Sequence, residues 1–73
     1  VEPVPTLPLV LQELSERERE VLAMLAAGDS NKLIARALDL SPHTVKRHVA
    51  NILAKLDCSS RGQAAAVWRD HTR

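Results

Sequence analysis

The stretch that decides the fold is residues 30–56, which read SNKLIARALDLSPHTVKRHVANILAKL. It contains two helix starts, because Ser30 and Ser41 are residue types that cap a helix and Pro42 is favoured at the first helical position. The connection between the two helical patterns is Asp39-Leu40-Ser41. A turn of that length is typical of two helices that cross steeply, as in a helix-turn-helix.

Both helices of this pair have apolar residues on one side. The stripe of the second predicted helix is Leu33, Ile34, Ala37 and Leu38, and that of the third, which runs from Pro42 to about Leu56, is Val45, Val49, Ile52, Leu53 and Leu56. At 3.6 residues per turn, each set forms a stripe that faces a core. Leu40, alone in the short turn, is expected to plug the same core.

Two further helices flank the pair. The first predicted helix starts with the capping box Ser15-Glu16-Arg17-Glu18, and Gly28 is expected to end it in a left-handed conformation. A second capping box, Ser60-Arg61-Gly62-Gln63, starts the fourth helix, which runs to about Arg69. The prediction is therefore an all-α fold, a four-helix bundle containing a helix-turn-helix.

The N-terminal residues are rich in proline. Pro3, Pro5 and Pro8 fix their own φ and bias the residues before them toward extended backbone. Residues 1–13 are therefore predicted to be a Pro-rich linker or tail, and residues 14–71 the folded domain. We expect the chain to be a piece of a longer protein.

Composition limits the class of protein. The 73 residues make at most one small domain, with one cysteine and neither Phe nor Tyr. Cys58 cannot form an internal disulfide and lacks the partners of a zinc site, which favours a reducing compartment. No apolar run approaches the roughly 20 residues that span a bilayer. We expect a cytoplasmic chain without membrane contact.

Charge is unevenly distributed, although the net charge is only +1. Residues 1–29 are net negative and residues 30–61 are net positive. A basic stretch after an acidic start is compatible with a face that binds a polyanion. A solvated mixed surface explains the same pattern, and the basic excess is modest for a nucleic-acid-binding protein.

The polar side of the third predicted helix has chemistry suited to DNA. Lys46 and Arg47 can each donate two hydrogen bonds to guanine, and Ala50 can contact a thymine methyl group or allow close approach. The residues placed for phosphate contacts are Ser30, Lys32, Ser41, Thr44, Asn51, Lys55 and Arg61. The alternative is an ordinary amphipathic helix with a solvated face, and the paired caps and short turn favour the helix-turn-helix over it.

Several motifs resemble the LuxR/FixJ-type helix-turn-helix family, and within it the NarL-like response regulators. They are LSEREREVL at 14–22, GDSNK at 28–32, IA at 34–35, SPHTVK at 41–46, HV at 48–49, NIL at 51–53, KL at 55–56, and SR at 60–61 with Ala64 after it. The resemblance spans residues 14–68. It implies the DNA-binding domain of a bacterial transcription regulator, with the third helix in the major groove and a dimer contact through the fourth.

The resemblance also implies roles for individual residues. The base-reading positions are Lys46, Arg47 and Ala50, and the phosphate-binding positions are Ser30, Asn31, Lys32, Thr44, Asn51, Lys55 and His43, with His48 as a further candidate. Three positions depart from the family pattern. Leu33 stands where many members have Glu, and Asp39 replaces the usual turn Gly, so it needs a left-handed conformation that Asp tolerates. Ala50 is apolar where several members are basic, which concentrates base readout on Lys46 and Arg47.

The fourth predicted helix carries the candidate dimer interface, Ala64, Val67 and Trp68. Small residues at 64–66 would let two such helices approach closely. Trp68 has a second interpretation, as a core residue that closes the bundle against the first helix.

No enzymatic or metal chemistry is indicated. His43 and His48 are about 140° apart on a helix, so one metal ion could not bind both. Cys58 and His48 lack an oxyanion site and a third catalytic group. We expect no cofactor, and as partners double-stranded DNA, a second copy of the chain and RNA polymerase. A protein-interaction module that docks through the fourth helix or the Pro-rich tail is the remaining alternative.

Overall fold

The computed structural model describes residues 9–71, and every regular element in that range is an α-helix. The helices are α1 Leu9–Gln12, α2 Glu16–Ala26, α3 Asn31–Leu38, α4 Pro42–Leu56 and α5 Arg61–His71. The four predicted helices are α2 to α5. The predicted all-α bundle is thus confirmed, with α3 and α4 as its helix-turn-helix.

One cluster of aliphatic side chains holds the helices together. α2 packs most extensively against α5, and α3 against α4, while α2 also contacts α4. The buried members are Leu11, Leu14, Val21, Leu22, Leu25, Ile34, Ala35, Val45, Val49, Ile52, Leu56, Ala64 and Ala65. Each fully buried Leu, Ile or Val side chain stabilises the fold by roughly 1.5–3 kcal/mol.

The predicted apolar stripe of α4 is confirmed, but that of α3 is partly wrong. Ile34 is buried and Leu38 packs against the core, as expected. Leu33 is 51% exposed, Ala37 is also exposed, and Ala35 is buried in their place. Consecutive residues are about 100° apart on a helix. The helix is rotated so that its buried side is centred on Ile34 and Ala35.

The prediction of an extended tail is wrong for residues 9–12, which form α1. Leu11 is fully buried in the common core, and this burial stabilises a helical turn that proline content alone argued against. The Arg19 guanidinium reinforces the turn by donating to the carbonyl oxygens of Leu11, at 3.4 Å, and Leu14, at 3.1 Å. The rest of the predicted tail, residues 1–8, lies outside the described residues.

Three helices end at a residue with positive φ, namely Gly28 at 94°, Asp39 at 57° and Asp57 at 55°. Gly28 and Asp39 were predicted to do so, whereas Asp57 was not. After α3, the amide of Leu40 donates to the carbonyl of Ala35 at 2.8 Å, which closes the Schellman pattern. The turn thereby directs Leu40 onto the core, where it is half-buried as expected.

The first capping box is confirmed and the second only in part. Glu18 N donates to Ser15 Oγ at 3.1 Å, and Ser15 N donates to Glu18 Oε1 at 2.8 Å. At α5, Gln63 N donates to Ser60 Oγ at 3.2 Å, but Gln63 Oε1 accepts from the amide and the hydroxyl of Ser59. Gln63 thus accepts two hydrogen bonds from Ser59, whereas the predicted box would give it one, from the amide of Ser60.

Candidate nucleic-acid interface

The helix α4 presents a polar face opposite its buried stripe. Val45 and Val49 are buried, while Lys46, Arg47 and Ala50 are exposed. At 100° per residue, the three exposed residues lie within about 100° of arc on the side away from the core. The predicted base-reading residues therefore share one accessible surface on a helix that the core holds firmly.

The first turn of α4 is fixed by a local hydrogen-bond network. Thr44 N donates to Ser41 Oγ at 3.1 Å, and the two hydroxyls lie 2.9 Å apart. His43, in the same turn, is exposed, and Asn51 is exposed two turns further along. His48 is half-buried, as is Thr44, so these two residues are less accessible than His43 and Asn51.

The start of α3 is the second group of predicted phosphate-binding residues. Ser30 Oγ accepts from the amide of Leu33 at 3.2 Å, so the hydroxyl caps the helix. Lys32 is exposed. The amides of a first helical turn have no intrahelical acceptor and suit an anion. The two helix starts thus provide hydroxyls, backbone amides and a lysine.

Asn31, at the first residue of α3, is bound to the start of α5. The Arg61 guanidinium donates through Nη1 to Asn31 Oδ1 and through Nη2 to the carbonyl oxygen of Asp29 at 3.1 Å. Arg61 was predicted as a phosphate contact, yet these two groups of its side chain are directed into the domain. The two residues are 30 positions apart in the sequence, so no local sequence pattern predicts their contact.

Lys55, another predicted phosphate-binding residue, is also engaged within the domain. Its Nζ lies 2.7 Å from Glu18 Oε1, which joins the last turn of α4 to the first turn of α2. Glu18 is only 4% exposed, whereas the Lys55 side chain is 41% exposed. The sequence identified Glu18 only as a capping residue, because the two partners are 37 residues apart.

The environment of Glu18 favours its charged form. Burial by itself raises the pKa of a carboxyl group. Here the hydrogen bond and charge of Lys55, with the hydrogen bonds from the amide and hydroxyl of Ser15, outweigh burial and lower the pKa of Glu18 from its usual 4.5. The carboxylate is therefore a stable negative charge at neutral pH.

The predicted dimer residues of α5 differ in accessibility. Ala64 is fully buried in the core of its own chain, so its assignment to an interface is wrong. α5 packs against both α2 and α4, most extensively against α2. Val67 and Trp68 are half-buried and pack at the edge of the core, and the expectation that Trp68 closes the bundle is confirmed. Ala66 is exposed.

A surface groove runs between α5 and the end of α2. It is lined by Ala23, Ala26, Ala27, Ala66, Trp68, Arg69 and Asp70. The Arg69 guanidinium donates to the carbonyl oxygen of Ala26 at 3.2 Å across one end. Trp68, which is half-buried, is the one aromatic residue among those that line the groove.

Residues 9–71 contain no group of three His, Cys, Asp or Glu side chains placed to hold a metal ion. Cys58 is half-buried, and its thiol lies 3.6 Å from the carbonyl oxygen of Leu56. None of the helices in this range is long and apolar enough to cross a membrane.

The family described as bacterial regulatory proteins, luxR family, matches residues 12–68. The chain therefore belongs to that family and is a DNA-binding domain of a LuxR-family transcription regulator. The predicted resemblance to LuxR/FixJ-type and NarL-like proteins is thereby confirmed. Members of this family are regulators rather than enzymes.

Three relatives show the range of similarity. The chain is 56% identical to the transcriptional regulatory protein FixJ of Rhizobium meliloti over 50 residues. This aligned segment covers 68% of this chain and 24% of the relative. The transcriptional regulatory protein LiaR of Bacillus subtilis is 48% identical over 61 residues, 82% of this chain and 29% of the relative. The nitrate/nitrite response regulator protein NarL of Escherichia coli is 47% identical over 58 residues, 80% of this chain and 26% of the relative. The chain thus spans about a quarter of the length of the curated relatives it matches.

Proposed function

We propose that this chain is the sequence-specific, double-stranded-DNA-binding output domain of a larger transcription regulator, and that α4 reads the major groove. The observation that carries the proposal is the exposed face of α4, where Lys46, Arg47 and Ala50 lie together opposite a buried stripe. An α-helix of this width fits the major groove of B-DNA.

The three residues have complementary roles in base readout. Lys46 and Arg47 each have donors for guanine O6 and N7, and Arg47 offers the rigid fork that suits a bidentate contact. Ala50 lies one turn after Lys46 and is too small to hold the helix away from the base edges. Its methyl group suits contact with a thymine methyl. Specificity then depends on two long side chains and on DNA shape.

Phosphate contacts fix the position of α4 on the duplex. They come from both helix starts and from the outer face of α4, and the residues are Ser30, Asn31, Lys32, His43, Thr44 and Asn51. We assign Lys55 a different role, because its ammonium group already binds the buried carboxylate of Glu18. It holds α4 against α2 and contributes little to the DNA contact itself.

The functional unit on DNA is a homodimer that forms through α5. Val67 and Trp68 are half-buried in the single chain, and the small, exposed Ala66 lines the same groove as Trp68. A second copy would cover this apolar surface. Two-fold symmetry would then place two α4 helices on two half-sites. The whole regulator acts in the cytoplasm, with RNA polymerase as a further partner.

Retention of duplex DNA tests the proposal against a protein-interaction module. The unmodified chain is mixed at low salt with a pool of random-sequence duplexes, and bound duplexes are separated by gel mobility, recovered and amplified over repeated rounds. We expect the retained pool to converge on a common sequence that has two related halves. A chain that retains no duplex at low salt, or a pool that stays random, contradicts sequence-specific binding.

A further inference from the structure

We infer that Arg61 is a positioning residue of the DNA interface, which orients the Asn31 side chain so that its amide nitrogen faces a phosphate. This inference rests on the proposed function, since it assigns work to a residue of that interface. It differs from the sequence-based expectation, in which Arg61 itself contacts DNA.

The geometry around Arg61 supports an inward role. Nη1 donates to Asn31 Oδ1 and Nη2 donates to the carbonyl oxygen of Asp29, so both terminal nitrogens are used in contacts within the chain. Arg61 is half-buried at the first turn of α5. A cation at a helix N-terminus is disfavoured by the helix dipole. Its two acceptors at the start of α3 offset that cost.

The chemistry of the two side chains fixes the orientation of Asn31. A guanidinium has donors and no acceptor, so the Asn31 atom that faces it must be the amide oxygen. The amide NH₂ group therefore occupies the other side of the side chain. Asn31 opens α3, where the first-turn amides have no helical acceptor, and the neighbouring Lys32 is exposed. The NH₂ group thus joins a set of donors suited to one phosphate.

Arg61→Lys separates positioning from direct contact. Lysine keeps the positive charge and binds phosphate well, but it has no planar fork that reaches both acceptors at once. If Arg61 positions Asn31, Arg61→Lys and Arg61→Met should weaken binding alike, by about three- to tenfold, the effect of one lost hydrogen bond. If Arg61 binds phosphate directly, Arg61→Lys should retain most of the affinity.

Salt dependence and additivity give two more readouts. A neutral amide contact releases no counterion, so Arg61→Met should leave the slope of log K against log salt unchanged, whereas a lost cation–phosphate contact reduces it by about 0.9. The loss in the double variant Arg61→Met/Asn31→Ala should equal that of Asn31→Ala alone. Arg17→Met is the control for charge removal, because Arg17 lies on α2 and pairs with Glu20.

The DNA probes are the duplex pool recovered by the unmodified chain and the starting random pool. Urea unfolding of each variant confirms that it is folded under the binding conditions. Full retention of affinity by Arg61→Lys, a slope reduced by about 0.9 in Arg61→Met, or additive losses in the double variant would each overturn the positioning role. Any of these results leaves DNA binding intact. Only the failure of the unmodified chain to bind duplex refutes the proposed function as well.

Discussion

The ammonium nitrogen of Lys55 lies 2.7 Å from Oε1 of Glu18, and this contact connects the end of the proposed recognition helix to the start of α2. Glu18 also accepts a hydrogen bond from the amide of Ser15, at 2.8 Å. One buried carboxylate therefore caps α2 and anchors α4. The angle at which α4 is presented depends on a group that does not lie on the exposed face.

Loss of Lys55 should destabilise the fold. Lys55→Met leaves the Glu18 carboxylate buried without its cation, and we expect the free energy of unfolding to fall by about 1–2 kcal/mol, less than for a fully buried pair because Lys55 is partly exposed. Urea unfolding followed by circular dichroism measures the change. Glu20→Gln, which removes the exposed 3.8 Å pair with Arg17, is the control and should cost under about 0.5 kcal/mol. Equal effects would contradict the role of Glu18.

Stability should depend on pH through Glu18. Its pKa is lower in the folded chain than its usual 4.5, so the unfolded chain takes up the proton first as the pH falls. The stabilisation is complete well above pH 4.5 and is lost as the pH falls through the folded-state pKa. Chemical unfolding across this range should show a smaller decline for Glu18→Gln than for the unmodified chain. Parallel declines would contradict the prediction.

The left-handed residue after α4 offers a stabilising change. Asp57 carries a negative charge at the negative end of the helix dipole, at φ 55°. Asp57→Asn keeps a residue type that tolerates this conformation and removes the charge, so we expect a gain of about 0.3–1 kcal/mol that shrinks at high salt. Gly28→Ala should instead lower the free energy of unfolding, because φ is 94° at this position and residues with a Cβ rarely adopt such a backbone conformation. The strain comes from the backbone alone, since no atom lies within 4 Å of the added Cβ. Thermal unfolding measures both, and destabilisation by Asp57→Asn would refute the first.

The proposed dimer can be tested without disturbing the core. Ala66 is exposed and lines the groove, so Ala66→Glu should leave the single chain folded and place two like charges at a close α5–α5 contact. We expect its dimer to dissociate at least tenfold more readily than that of the unmodified chain, a cost of about 1.4 kcal/mol. Analytical ultracentrifugation with and without the selected duplex measures it, with Ala37→Glu on α3 as the matched control. An unchanged association constant would exclude an α5 interface at Ala66.

The local signals of the sequence predicted most of the fold. Caps at Ser15, Ser30 and Ser41 set the helix starts, and each cap joins residues that are only three apart. Leu11 was missed, since burial of its side chain against distant helices overrides the extended bias of the nearby prolines. The exposure of Leu33 was missed for a similar reason, because tertiary packing selects the rotation of a short helix.

The sequence predicted which types of residue the candidate site contains, but not the hydrogen-bond partners of those residues within the chain. Lys46 and Arg47 are exposed as the pattern of α4 requires. Lys55 and Arg61 belong to the same basic stretch, but both are engaged by groups more than 25 positions away. Charge along the sequence does not distinguish a cation that faces solvent from one that binds a buried acceptor. Because Lys55 and Arg61 bind groups within the chain, the surface proposed to contact DNA is smaller than the basic stretch of the sequence.

The most direct test of base readout compares Lys46→Ala and Arg47→Ala on two probes, the selected duplex and the random pool, at one salt concentration. On the selected duplex each variant should lose about 1–3 kcal/mol, or roughly five- to 150-fold in affinity. On the random pool each should lose about threefold or less. Equal losses on both probes would contradict the claim that the exposed face of α4 reads bases.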